Sequence, residues 1–225
     1  MSLPLVRLLQ LASPALPVGA YSYSQGSEAA CEVEIVRDKE SARQWISDVL
    51  QFNIATMEAP IVARLYRAWQ SEDVKAAIYW NHYFLASRET SELRAETEQM
   101  GYSLGKLLVD GKFCDSERVA TLNELRPKSF PAAFSFAAVS FSVPIDEALT
   151  AYLWSWLENQ VIAAVKLVPL GQVAGQSLLF ELGQDLPRIV ERALSLADEE
   201  LCNFSPGLAI LSGQHETQYS RVFRS

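Results

Sequence analysis

IDEALTAYLWSWLENQVIAAVKL, residues 145–167, runs 23 residues without a glycine or proline, and Pro144 and Pro169 stand on either side of it. At helical spacing its apolar side chains cover nearly the whole circumference, which is the pattern of a helix buried in a core. The length alone would also suit a membrane span, but Glu158, Asn159, Gln160 and Lys166 interrupt the run and exclude that reading. A central helix of this kind needs other helices to cover it, so the neighbouring segments decide the class.

The neighbours read as helices. Asp38–Met57 places Ala42, Trp45, Ile46, Val49, Leu50 and Met57 on one face, with Asp38 as its N-cap and Ser41 and Arg43 on the wet side. Pro60 suits a first helical turn for the face made by Ile61, Val62, Leu65, Tyr66 and Trp69. Ser71-Glu72-Asp73 caps Val74–Ala86. Phe130–Val143 (FPAAFSFAAVSFSV) is compatible with a strand by partial alternation and with a buried helix by its alanines. Short helices are predicted over Leu3–Leu11 and Gln25–Cys31, and longer ones over Gln172–Leu182 and Arg188–Leu201. Residues 87–99 (SRETSELRAETEQ) form helix readily but are almost wholly polar. They are read as a solvated face with i, i+4 pairs Arg88–Glu92 and Arg94–Glu98. The expectation is a single all-α domain of roughly ten helices over residues 1–203, followed by a flexible C-terminal tail at 204–225 that orders on partner binding.

Composition narrows the function. A net charge of −8 and a pI near 4.9 give no basic footprint for nucleic acid or an anionic membrane. Cys31, Cys114 and Cys202 are scattered and odd in number, which predicts free thiols in a reducing cytoplasm. Arg7 breaks the apolar lead-in, so the N-terminus is read as mature protein. P-loop, GxGxxG, HExxH and GxSxG patterns are absent. Of the two histidines, His82 is expected to be a packed, hydrogen-bonded core residue, and His215 lies in the tail beside Glu216. Neither catalysis nor a resident metal or cofactor is predicted, which favours a scaffold, adaptor or chaperone.

The loop Leu11–Glu28 (LASPALPVGAYSYSQGSE) is the most structured of the connectors. Pro14 and Pro17 block regular structure, while Gly19 and Gly26 permit conformations other residues avoid. Together with flanking residues it carries a resemblance. LLQLASPALPVGAYSYSQGSE (8–28), ASRETSELRAETEQMGYSLGKLL (86–108), AVKLVPLGQVAGQ (164–176) and HETQYSRVFRS (215–225) resemble the urease accessory protein UreF family, over essentially the whole chain.

That resemblance implies an all-α, dimeric protein without enzymatic activity. It would bind the accessory protein UreD (UreH in some systems), recruit the GTPase UreG, and support GTP-dependent nickel insertion into apo-urease. Nickel and GTP are then handled by the partners. It implies partner contacts at Gly19, Tyr21, Ser22, Gly26 and Glu28 in the loop. Further contacts fall on Arg88 and Glu89, on Lys166 and Gln172, and on His215, Glu216, Tyr219, Arg221 and Phe223. Tyr21 and the tail's Arg221 are expected to pair, since a guanidinium can stack on or donate to a phenol. Tyr23, Ser27, Ser91 and Val222 depart from the family's usual residues, and the histidine often found near the loop is missing, which speaks against nickel coordination there. Two alternatives stay open: a GTPase-activating regulator offering Arg88 or Arg94 in trans, and an unrelated helical enzyme.

Overall fold

The computed structural model describes residues 3–225, and its regular structure is helical throughout, with no strand among the described residues. The predicted core helix, α9, spans Ile145–Leu167 as the sequence pattern requires, and its Leu149, Leu153, Leu157 and Val161 are buried. Preceding it in the chain are α1 (Leu3–Leu11), α2 (Ser27–Glu32), α3 (Lys39–Val49), α4 (Ala59–Gln70), α5 (Val74–Ala86), α6 (Ser91–Asp110), α7 (Ser116–Leu122) and α8 (Phe130–Ser140). After it come α10 (Gln172–Gly183), α11 (Leu186–Ser195) and α12 (Pro206–His215).

The ambiguous segment resolves as helix α8. Ser129 caps it by accepting from the Ala132 amide, Pro131 fits the first turn, and its small residues let α4 and α6 approach closely. Trp69 Nε1 donates to the Ala132 carbonyl at 3.1 Å and the Tyr66 hydroxyl to that of Val143 at 2.7 Å, fixing α4 against α8. Phe134 meets Tyr152 edge-to-face at 5.0 Å, which ties α8 to α9. The Asp38 cap of α3 is present, closed by Ser41 as a capping box rather than left to solvent.

Four local expectations need correction. The rod from Asp38 is α-helical only to Val49; residues 50–58 wind as a π-helix before α4 continues it. This segment is joined to a later one: the Thr56 carbonyl accepts from the Cys202 amide at 3.1 Å, and the Thr56 hydroxyl donates to the Cys202 carbonyl at 2.6 Å. Helix α11 stops at Ser195 rather than Leu201, because Arg67 and Arg64 bind the carbonyls of Leu194 and Leu196 and hold the chain in an extended exit. His82 is exposed, and the buried histidine is His215. Residues 87–99 are not simply a solvated face, since Arg88 and Glu96 are buried. Arg88 pairs with Glu58 at 3.3 Å instead of with Glu92.

Residues 204–225 hold more structure than their pattern suggests. Helix α12 packs on α2, and Phe223 and Ser225 reach buried positions against the body.

Candidate functional site

The C-terminal residues cross two elements from distant parts of the sequence, the 19–28 loop and the start of α6. Each component has a local cause. Gly19 (φ 83°) and Gly26 (φ 78°) occupy the left-handed region, so the loop turns sharply at both and delivers Glu28 into the first turn of α2. Gly26 is also a point of close approach: a Cβ there would lie 3.0 Å from Leu208 Cδ1 of α12. Thr90 caps α6 through the Leu93 amide, and its hydroxyl meets that of Ser212 at 2.8 Å.

The tail is held chiefly by carboxylates. Glu28 accepts from the Val222 amide at 2.6 Å and the Phe223 amide at 2.8 Å, so one buried side chain satisfies two backbone donors. His215, with no exposed surface, places Nδ1 2.7 Å from Glu92 and Nε2 3.3 Å from Glu28. Either neutral tautomer can donate to one of these acceptors and the imidazolium to both. Glu92 also receives Arg221 Nη1 at 2.6 Å, and Arg221 donates further to the carbonyls of Glu216 and Gln218. Glu216 binds the Ser91 amide and hydroxyl at 2.8 and 2.6 Å, capping α6 from the tail. Lys166 of α9 lies over the Phe223 ring at 5.3 Å. Finally the Arg224 amide donates to the Ser22 carbonyl, and the Ser24 amide and hydroxyl to that of Ser225.

These contacts bring together Ser22, Gly26, Glu28, Lys166, His215, Glu216, Arg221 and Phe223 of the sequence-predicted set. The expected Tyr21–Arg221 pair is not formed. Tyr21 is 64% exposed, on a short 3-10 turn over Ala20–Ser22, and Arg221 is engaged by Glu92 instead. Tyr23 takes the buried aromatic position, where burial raises its phenol above the ordinary range and neighbouring Arg224 partly offsets that rise. Tyr219 is fully exposed. Glu89 receives Asn203 Nδ2 at 2.7 Å, while Gln172 is an exposed residue opening α10. Arg88 is enclosed with Glu58, its guanidinium 4.3 Å over Phe84, so in this arrangement it presents no charge to a partner.

Sequence reasoning passed over the groups beneath the tail. Gln25 (φ 50°) is held in the left-handed region by both ends of its amide, with Nε2 donating to Glu96 at 2.7 Å and Oε1 accepting from Trp156 at 2.7 Å. Tyr152 donates to Glu58 at 2.5 Å, and burial beside that carboxylate pushes its phenol well above the usual range. These residues line a cavity of about 90 Å³ that also touches Tyr21 and Leu11. Among the described residues no cluster of His, Cys, Asp or Glu has the arrangement of a metal site, and no helix is long and apolar enough to cross a membrane.

Comparison with known proteins identifies the family. The family model UreF matches residues 36–183, which carry the body but neither the loop nor the tail. The relatives cover both. The urease accessory protein UreF of Azoarcus sp. (strain BH72) is 58% identical over 225 residues, 99% of this chain and 96% of its own length. That of Janthinobacterium sp. (strain Marseille) is 52% identical over 221 residues, 98% of each. That of Methylobacillus flagellatus is 51% identical over 221 residues. With the family model over residues 36–183 and relatives at 52–58% identity over 98–99% of its length, the chain belongs to the UreF family of urease accessory proteins.

Proposed function

We propose that this chain is a non-enzymatic adaptor of the cytoplasm, which works with a UreD/UreH-type protein and a UreG-type GTPase in GTP-dependent nickel insertion into apo-urease. The observation carrying the reading is the junction of loop, α6 and tail. Three segments shared with the family's blocks meet there, and the contacts are made by carboxylates that accept backbone and guanidinium donors. Such a junction forms a surface and performs no chemistry of its own. Ordering about ten tail residues costs roughly 1–2 kcal/mol each in backbone entropy, so a partner that covers residues 204–225 secures an arrangement the tail would otherwise leave.

In this reading the UreD/UreH-type partner holds the tail down. Exposed Tyr21 and the half-exposed Arg221 side chain then belong to one recruiting surface without touching each other. The chain works as a homodimer, and nickel and GTP stay with the partners. The test is a pull-down with the UreD/UreH-type protein, using the full chain and a chain ending at Ser212. Capture of the full chain alone is the expected outcome, and equal capture of both rejects the tail's role. Tyr21→Ala and Arg221→Ala should each lower GTPase recruitment and urease activation; normal values in both reject the site. The GTPase-activating reading now rests on exposed Arg94 alone, because Arg88 is buried. Unchanged GTP turnover on adding this chain to the GTPase removes it.

A further inference from the structure

A second concavity, to which no residue of the tail contributes, lies between α6 and the turn that follows α7. Its volume is about 650 Å³, within the range of ligand sites, and it is open to solvent. One wall is the face of α6 that carries Ala95, Glu98 and Tyr102, a stripe at helical spacing about 10 Å long. The other wall is the turn with Asn123, Arg126 and Lys128.

That turn holds two cations side by side. Asn123 supplies both of its acceptors: its carbonyl takes Arg126 Nε at 3.2 Å, and its Oδ1 takes Lys128 Nζ at 2.9 Å. Lys128 is also pressed onto α6 at two glycines one turn apart. A Cβ at Gly101 would run into the Lys128 carbonyl, and one at Gly105 would come within 3.2 Å of the Lys128 Cδ. Glycine is unfavourable inside a helix, so this pair marks an approach that the fold keeps close. Among the described residues neither Arg126 nor Lys128 has a carboxylate within ion-pair distance. Burial, and after it the like charge of Arg126, lower the Lys128 ammonium below its ordinary range. In a chain of net charge −8, two cations gathered on neutral acceptors repel each other until an anion arrives.

We propose that this groove receives an acidic segment of a protein partner, whose carboxylates dock on Arg126 and Lys128. Its length favours a chain over a compact ion, since about 10 Å accommodates about three residues of extended backbone. Glu98, half-buried on the α6 wall, is the one carboxylate lining the groove. It repels an ion charged all round and admits a segment that turns a neutral or basic side toward it. Tyr102, 58% exposed, gives that segment an apolar ring to lie against.

The test uses the full chain and needs neither the tail's role nor the urease partners. Fluorescein-labelled hexaglutamate is titrated by fluorescence polarisation at low salt, and its position is read from amide NMR shifts. Saturable binding with shifts at Tyr102 and Lys128 is expected. Arg126→Gln/Lys128→Gln, which keeps both aliphatic stems, should weaken binding about tenfold. Glu98→Gln should tighten it several-fold, a gain that damaged folding does not produce. No saturable binding, shifts confined to another face, or equal affinity in the double variant overturns the proposal. Inorganic phosphate binding as tightly as the peptide would show an adventitious ion only and overturns it as well.

Discussion

Arg88 shows how far a residue's role departs from its local pattern. Four residues before Glu92 in a polar stretch, it reads as half of a surface pair, yet it is enclosed with Glu58, thirty residues earlier. Removing one member of a buried pair leaves the other charge unpaired. Arg88→Ala should therefore destabilise the chain by about 3–5 kcal/mol, measured by urea unfolding. Tyr21 is the opposite case. With its ring in solvent, Tyr21→Ala should leave stability within about 0.5 kcal/mol while lowering partner recruitment, which separates a recruiting role from a packing one. Glu28 lies between these. Glu28→Ala removes the acceptor for two backbone amides of the tail, and exchange at Val222 and Phe223 should accelerate with little change in the rest of the chain. The loop, Glu28 and the tail were legible in the sequence because resemblance covered them. Glu58, Glu96 and Gln25 were not, since each acts through partners 71 to 131 residues away or on another helix.

Among the elements, α9 was read to the residue because an apolar circumference between two prolines has one physical solution. The end of α11 was missed for a different reason: Arg64 and Arg67 stop it from across the fold, and nothing near Ser195 in sequence announces that. Helix α12 was missed because its apolar residues are split, Leu208 and Leu211 facing the body and Ile210 facing solvent. Its seat on α2 depends on Gly26. Alanine there meets both an unfavourable φ and the Leu208 methyl, a cost of about 1–2 kcal/mol. Gly26→Ala should lower tail protection in amide exchange with α9 unaffected, and a uniform loss across the helices would show that α12 is not a separable element.

For the molecule as a whole, the tail closes a circuit between its last residues and the loop, with the Ser24–Ser225 bond spanning 201 positions. A chain ending at Ser212 loses His215, Arg221 and Phe223 together, leaving Glu28 without the imidazole and the tail amides it binds and Glu92 without the Arg221 guanidinium. Its melting temperature should fall, and by more at low salt than at high salt, because the uncovered carboxylates repel through water that salt screens. The π-helical residues 50–58 carry a different kind of consequence. A π turn holds more residues than an α turn, and each residue of an α-helix advances it by about 100°. Because the π turns already take up the slack, one further residue inserted here would swing everything after it by about that angle. Arg64, Tyr66 and Trp69 would then point away from Leu196, Val143 and Ala132, the groups they now bind. The segment is thus a phase setting, and this part of the chain should tolerate substitution far better than an inserted residue.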